Sequence, residues 1–503
     1  MTSPINADRE PFPRWLPYAA AAVAGIVVWS GLPLGVPGEW TWSGRPIGFL
    51  FSPSMLIAGL AVTAYLGASF GVSQLVQRER LATGWAAALV GVLATGLLLA
   101  FQASIPGVSG LMRSPFVLFD FRATGYFTES RPQQDDLPGF LRGYEATVAE
   151  GDYLHQGTHP PGLITGYILL GRLVQQVPAV RQFSEAIRSP EAVDTFEVLA
   201  TYPTAPTPDE AAVLHLFGLL TTAAAAAAVV PLAILIARIQ PSDAAVRLAS
   251  LWPLVPAVAI FLPKSDALLP VIPLSIAVLY VAALERTDRT RLLYAVAAGL
   301  AAGLGLLISL AVLPIYAAIA LAPLSPRRLR TDWPVIAAGA AGVAAWIVVF
   351  AGIGTNLPAI WLHNVQNHAA FYDHNVRTTW LWGLVNPVEG AIAASLPMVA
   401  VATWQFATVS DRRSLRHPVG RLVVGVAAAW VVLWLSGKNQ GEAGRLWLLL
   451  MPWPIVAIAV SGSTLSKRRW WHLAVAVSIA AVLVVVRIDG FGLLDQLQPT
   501  AAG

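Results

Sequence analysis

The sequence predicts an all-α membrane protein that crosses the bilayer many times. Hydrophobic residues make up 56% of the 503 residues and charged residues only 12%, whereas a soluble domain carries roughly 25% charged residues. The mean hydropathy is +0.64. Apolar runs of about 20 residues, the length that crosses a bilayer, recur along the chain. We therefore predict about thirteen transmembrane helices.

The first predicted span is a retained helix, because its apolar run follows a polar N-terminus and has no small-residue cleavage site near its end. Clustered prolines break the central spans, and broken spans usually line a cavity. The predicted spans are 15–34, 47–75, 83–102, 211–237, 246–262, 267–284, 292–307, 309–324, 333–353, 386–407, 419–436, 445–462 and 470–488.

These spans divide the chain into four parts. The parts are an N-terminal unit of three spans (1–102), a polar loop (103–210), a ten-span membrane domain (211–488) and a C-terminal tail (489–503).

Basic residues orient the spans, because Lys and Arg concentrate in cytoplasmic loops. All the basic clusters fall on one side if the N-terminus is cytoplasmic and the C-terminus extracytoplasmic. These clusters lie at 78–80, 286–291, 327–330, 412–416 and 467–469. The outer segments are then 35–46, 103–210, 263–266, 354–385 and 437–445. The Ala-, Gly-, Val- and Arg-rich, Lys-poor composition suggests a bacterial genome of high GC content, and we expect the protein in the inner membrane.

Charge and cysteine content exclude several classes of function. The net charge of +4 is small and lies mostly in short loops, so nucleic acid is a poor partner. The chain has no cysteine, which excludes disulfides and thiolate metal sites.

The polar loop carries a predicted interfacial helix at Leu163–Val177. If this segment crossed the membrane, basic clusters would face outward, so we place it at the outer surface. His159, Pro160 and Pro161 precede it, and proline is well tolerated in a first helical turn. We expect this corner to hold His159 near the outer surface, where it meets a phosphate or a hydroxyl; a plain helix start with a surface histidine is the alternative.

The first outer acids are candidates for a general base, because transfer of a sugar to a hydroxyl requires a group that takes the acceptor proton. Glu129 is favoured because Tyr126 and Phe127 beside it are able to stack on a sugar. Asp120 is the second candidate. The alternative is that both are ordinary solvated acids.

The segment 354–385 is predicted to be a polar outer loop that contains His363 and His368 among aromatic and amide side chains. The two histidines are five residues apart, whereas helical metal ligands are usually four apart. We therefore favour a sugar-binding or substrate-gating loop over a metal site. No metal ligand is assigned, and a divalent cation in the outer cavity stays open.

Two short outer turns carry charge at the ends of apolar spans. Lys264 and Asp266 lie between two proline-rich spans, where Lys264 is suited either to a lipid-linked phosphate or to snorkelling. Arg445 begins a later span, and Glu442 precedes it. Arginine forms bidentate contacts with phosphate, and Glu442 is placed to orient it.

The chain resembles the GT-C superfamily of membrane glycosyltransferases, in particular protein O-mannosyltransferases and aminoarabinose transferases. The resemblance rests on two motifs, the acid among aromatic residues at Tyr126–Ser130 and the string His159–Gly162. The architectural resemblance covers the chain from about Gly84 to the last span. Two departures stand out: two additional spans precede the loop, and Glu129 is not part of an acidic pair.

The resemblance implies transfer of a sugar from a polyprenyl-phosphate carrier to a hydroxyl of a glycan, lipid or protein, with inversion, on the extracytoplasmic face. It implies Glu129 as the acid, His159 and Pro160 in the His-Pro-Pro string, and Lys264 and Arg445 as contacts of the carrier phosphate. A transporter or flippase of lipid-linked glycans is the alternative. It predicts repeat symmetry and charges within spans.

Overall fold

The structure is a computed structural model, and it describes residues 12–105, 107–151, 155–324, 329–408, 416–461 and 465–490. Eight of the described helices are long and apolar enough to cross a membrane, or up to ten if each of two sharply bent helix pairs counts as one span. The predicted helical class and the recurring apolar helices are confirmed. The described residues also form a short antiparallel hairpin, in which Gly35–Val36 pairs with Trp40–Thr41.

The N-terminal unit contains three apolar helices that follow the predicted spans closely. The last helix of the chain packs against the first two, so the two ends of the sequence lie together. The helices are α1 (Trp15–Trp29), α2 (Pro53–Gln77) and α3 (Thr83–Ser104).

The polar segment after α3 is mostly helical. The predicted interfacial helix is confirmed as a helix, because α8 begins at Gly162, directly after Pro160 and Pro161. It bends by 100° into α9. The helices are α4 (Arg113–Phe119), α5 (Tyr126–Ser130), α6 (Leu137–Ala149), α7 (His155–Thr158), α8 (Gly162–Gln176), α9 (Pro178–Ala186) and α10 (Pro190–Leu199).

The central helices are short and broken, as the prolines predict. Pro253 and Pro256 separate α13 from α14, because proline has no N–H to continue the helical ladder. Ser309 has an extended backbone and separates α16 from α17. The helices are α11 (Pro208–Ala227), α12 (Val229–Ile236), α13 (Ser242–Ala249), α14 (Pro256–Phe261), α15 (Val271–Glu285), α16 (Thr290–Ile308) and α17 (Leu313–Leu321).

One prediction in the C-terminal half is wrong, and one predicted span is sharply bent. The segment 354–385 is not a loop: most of it belongs to α19 and to the start of α20. The apolar run 386–407 is not one straight helix, because α20 and α21 meet at 103°. Ser395 lies at the bend with a φ of 73°, and Pro397 is tolerated there only because it occupies the first turn of α21.

The remaining helices complete the bundle. The predicted tail beyond residue 490 lies outside the described residues, as do Arg327, Arg328, Arg412 and Arg413 of the basic clusters. The helices are α18 (Leu329–Gly352), α19 (Leu357–His374), α20 (Thr379–Ala393), α21 (Leu396–Thr408), α22 (Pro418–Leu435), α23 (Ala443–Leu446), α24 (Trp453–Val460) and α25 (Lys467–Arg487).

Contacts between connecting segments define two ends of the bundle. At one end, which we call the hairpin end, Glu39 of the hairpin accepts a hydrogen bond of 2.9 Å from the backbone N–H of Thr378. At the other, the basic end, Lys467 donates to Gln77 at 2.7 Å. Segments predicted to share a side of the membrane thus contact each other.

A buried ion network joins the hairpin end to the C-terminal end of α25. Asp489 lies 3.5 Å from Arg45 and 3.9 Å from Arg113, and all three residues are almost fully buried. Arg113 also donates to Gln102 at 2.7 Å. Loss of one member would leave buried charges without compensation, which is costly.

We predict that Asp489→Asn destabilises the protein by about 3–5 kcal/mol, because Arg45 and Arg113 remain buried without their carboxylate. The measurement is thermal unfolding in detergent. Glu285→Gln is the matched control, because Glu285 pairs with Arg238 in a partly exposed bridge that contributes at most about 1 kcal/mol. Equal shifts in the two variants would contradict the assignment.

Candidate functional site

Two cations from distant parts of the sequence meet at the hairpin end. Lys264 lies in the turn after α14, and Arg445 lies in the one-turn helix α23. Arg445 is 3.9 Å from Asp266 and 2.5 Å from Glu442. Both acids and Arg445 act electrostatically on Lys264. We call these four residues the Lys264–Arg445 cluster.

The two cations differ in how firmly they hold their charge. The pKa of Lys264 is lowered to about 8, mainly by burial and also by Arg445, while Glu442, Asp266 and Asp120 oppose the shift. Burial also acts to lower the pKa of Arg445, but Glu442 and Asp266 outweigh it and raise that pKa. Arg445 is therefore a permanent cation, whereas Lys264 is a cation that an added anion would stabilise.

Tyr126 lies beside this cluster. It begins α5 directly after Gly125, whose φ is 67°. Burial raises the pKa of Tyr126, and Asp266 raises it further, with Arg445 and Ser265 close enough to oppose that rise. Tyr126 is consequently a neutral phenol that is able to donate one hydrogen bond.

His159 contacts Tyr126 edge to face, with ring centroids 5.4 Å apart. Its Nδ1 lies 2.9 Å from the hydroxyl of Thr158, and the hydroxyl of Tyr144 donates to its carbonyl at 2.8 Å. Burial, with smaller effects from His155 and His368, lowers the pKa of His159 to about 3. The imidazole of His159 is therefore neutral at ordinary pH.

His155 belongs to the same group and is not singled out by the sequence. Its ring lies 5.9 Å from that of Tyr126 and 5.2 Å from that of Phe121. A Cβ on Gly125 would lie 2.1 Å from the His155 ring. The glycine directly before Tyr126 is the sequence signal for this close approach.

The two candidate acids occupy different positions. Asp120 follows α4 and acts electrostatically on Lys264, so it borders the Lys264–Arg445 cluster. Glu129 lies in α5 three residues after Tyr126 and is partly buried. Asp120 thus has an electrostatic effect on one of the cations, and Glu129, the acid that the sequence favours, stays a prediction beside it.

Helix α19 contributes one of its two candidate histidines. His368 acts electrostatically on His159, while burial and Lys438 lower the pKa of His368 itself. His363 is partly buried on the same helix. Five residues in a helix correspond to about 140° of rotation, so the two side chains point in different directions.

The amide side chains of α19 have a structural role. Asn364 and Asn367 are buried and donate to the carbonyl of Gly157 at 2.7 and 3.0 Å. Asn367 also donates to the carbonyl of Val148 at 2.8 Å. These amides therefore fasten α19 to α6 and α7, and a sugar-binding role of the segment stays a prediction.

The described residues are expected to include no assigned metal ligand, and the arrangement of their acidic and histidine side chains bears on this point. Within those residues, no group of three or more His, Asp or Glu side chains is placed to hold a metal ion. The cluster acids instead contact Arg445.

The structure contains an apolar cavity of about 430 Å³. It lies between α20, α21, α22 and α24, and Trp447, two residues after Arg445, forms part of its wall. The proline-broken central segment lines a different cavity, because Leu262 and Pro263, directly after α14, belong to the wall of a second cavity, whereas Val255 and Val258 are fully buried.

Comparisons with protein-family models and with curated proteins give no match to this chain.

Proposed function

We propose that this protein is a membrane glycosyltransferase that takes a sugar from a polyprenyl-phosphate carrier and transfers it to an acceptor hydroxyl. The observation that carries the proposal is the buried pair of cations in the Lys264–Arg445 cluster, together with an apolar cavity whose wall includes Trp447, two residues after Arg445. A lipid phosphate has the matching parts, an anionic head and a long apolar chain. The resemblance to the GT-C superfamily supports the same reading.

In this mechanism, the carrier phosphate binds between Lys264 and Arg445, and the first isoprene units enter the cavity. The acceptor oxygen forms a bond to the anomeric carbon while the bond from that carbon to the phosphate oxygen breaks. The proton passes to a carboxylate, for which we propose Asp120 because of its electrostatic effect on Lys264, with Glu129 as the second candidate. The phosphate leaves with the electron pair, and the two cations stabilise its charge.

Tyr126 and His159 would position the substrates in this mechanism. Tyr126 is a neutral donor near the phosphate site, and His159 is a neutral imidazole fixed by Thr158 and Tyr144. Neither group changes charge near neutral pH, so both serve as hydrogen-bonding partners. His363 and His368 stay predicted contacts of the donor sugar.

The membrane placement is part of the proposal. We propose about thirteen crossings, obtained by counting the short helices α1, α17 and α24 and the broken pairs α11–α12, α13–α14 and α20–α21 as spans. The hairpin end faces outward and the basic end faces the cytoplasm of a bacterium. The segment 103–210 then lies wholly outside, with α8 at the bilayer surface.

The pH dependence of donor use tests the role of Lys264. Because its pKa is about 8, the lysine loses its charge as the pH rises through 8, and the affinity for an anionic donor falls. A bound phosphate opposes that loss, so kcat/KM, which reports the free enzyme, is the sensitive quantity. We predict that kcat/KM declines above about pH 8 in wild type and stays level in Lys264→Arg. A decline of equal size in both would contradict the role of Lys264.

A bulky side chain in the cavity beside Trp447 tests whether this cavity binds the isoprenoid chain of the carrier. Ala457 lines the cavity on α24, and Ala457→Trp is expected to raise KM for a long-chain donor about tenfold, the effect of losing one to two buried methylene contacts. The kcat should change little. Ala337→Trp on the exposed face of α18 is the control. An unchanged KM in Ala457→Trp would exclude this cavity as the carrier site.

One observation favours the alternative, a flippase of lipid-linked glycans. Glu389 is fully buried in α20, with the side chain of Trp42 beside its carboxylate. Ionisable groups inside spans often mark transport paths. Movement of lipid-linked glycan across proteoliposomes that depends on Glu389, without sugar transfer, would support this alternative.

A further inference from the structure

A second cavity lies at the hairpin end and has no part in the mechanism above. Its volume is about 330 Å³, and it lies between α3, α4, α10 and α11. Its wall is mainly apolar and includes Leu99, Leu111, Pro115, Leu219, Leu262 and Pro263. Along the chain, Pro263 of this cavity directly precedes Lys264, and Trp447 of the first cavity follows Arg445 by two residues.

A cation lies at the rim of the second cavity. Arg188 is between Ile187 and Ser189, which both line the cavity. Its Nε and Nη2 atoms are buried and have no hydrogen-bond partner among the described residues. The guanidinium carbon lies 4.7 Å from the centre of the Phe196 ring.

The positive charge of Arg188 is only partly compensated by nearby acids. Glu185 is the acid that acts on it, but Glu185 also lies 3.8 Å from Arg181. On the cavity side, Arg188 acts electrostatically on His215, whose Nδ1 is 3.0 Å from the hydroxyl of Ser184. A buried guanidinium edge without hydrogen bonds is costly, and a phosphate would supply both the charge and the acceptors.

Apolar side chains surround the rim. Phe183 and Ile187 are 58% and 43% exposed, and Leu169 and Leu173 of α8 are 53% and 46% exposed. Together with the 100° bend between α8 and α9, they form an apolar surface of the kind that lies in the membrane interface. A lipid chain is therefore able to reach the second cavity from the bilayer.

We propose that the second cavity binds the apolar chain of a phosphate-bearing lipid, with the phosphate on Arg188, and that this lipid is the acceptor of the sugar. The acceptor role rests on the proposed function; the lipid site itself does not. Donor and acceptor chains would occupy separate cavities, and their head groups would meet at the Lys264–Arg445 cluster.

The binding test uses dodecyl phosphate as the probe, with the full-length protein in a neutral detergent and bound molecules counted by native mass spectrometry. Wild type is expected to bind two molecules. Arg188→Gln is expected to weaken one site about tenfold, the effect of losing a charged hydrogen-bonded contact. Arg445→Gln is expected to weaken the other. Arg181→Gln, in α9 seven residues before Arg188, is the matched control, because Arg181 pairs with Asp209 at 3.1 Å.

A second variant guards against a folding defect in Arg188→Gln. Leu219→Trp should fill the cavity and remove the same site while Arg188 remains. Unchanged binding in both Arg188→Gln and Leu219→Trp would overturn the lipid site.

The acceptor role is tested by where labelled sugar appears in membranes. We expect it in the organic-soluble lipid fraction, at a level about tenfold lower in Arg188→Gln than in Arg181→Gln. Label confined to protein would overturn the acceptor role. Two bound dodecyl phosphates without any sugar transfer would support the lipid site and overturn the proposed function, so the two failures are distinguishable.

Discussion

Arg445→Gln is expected to lower the rate of sugar transfer from a polyprenyl-phosphate donor by about 10²–10³-fold, the usual cost of removing one preorganised group that stabilises developing charge. Arg445 is the permanent cation of the cluster, because Glu442 and Asp266 raise its pKa. Its guanidinium is partly accessible, with 18% of the side chain exposed. The measurement is transfer of radiolabelled sugar in membranes, with donor binding measured in parallel.

Two controls separate chemistry from folding. Arg445→Lys keeps the charge but loses the fork that contacts phosphate through two N–H groups, so it should recover part of the rate. Arg238→Gln removes an arginine of similar exposure at the basic end and should leave transfer unchanged. Full activity in a folded Arg445→Gln protein would exclude Arg445 from the phosphate site.

Asp120→Asn is expected to lower transfer by about 10²–10⁴-fold, the range for loss of a general base. Asp120 acts electrostatically on Lys264, which places it beside the site proposed for the phosphate. The amide has nearly the same shape as the carboxylate, but it is unable to take the acceptor proton. Donor binding should therefore persist while kcat falls.

Glu129→Gln is the matched comparison, because Glu129 is the acid that the sequence favours. We expect it to cost less than Asp120→Asn. A larger loss in Glu129→Gln, with donor binding retained, would restore Glu129 as the base. Normal transfer in both variants would show that neither acid takes the proton.

Most of the cluster was predictable from local sequence signals. Lys264 and Arg445 stand in very short polar turns at the ends of apolar helices, where a charge is costly unless it has partners. Tyr126 and His159 were indicated by the aromatic and His-Pro-Pro strings around them. The fact that these turns meet depends on helix packing between distant parts of the chain, so no local pattern specifies it.

The failures have a common physical origin. The many polar residues of 354–385 favour a loop. In the structure, Asn364 and Asn367 are instead buried in α19, because their side-chain N–H groups donate to carbonyls of α6 and α7. The bend at Ser395 was missed because the apolar composition continues through it. Composition does not show where a buried polar group finds its partner or where a helix turns.

The measurement that tests the central claim most directly is sugar transfer from defined polyprenyl-phosphate sugars in proteoliposomes. The proteoliposomes contain purified wild-type or Arg445→Gln protein, and an added lipid extract serves as the acceptor. We predict that wild type transfers sugar and that Arg445→Gln retains about 1% or less of that rate. No transfer by wild type across a panel of donors, accompanied by movement of lipid-linked glycan between leaflets, would contradict the proposed glycosyltransferase.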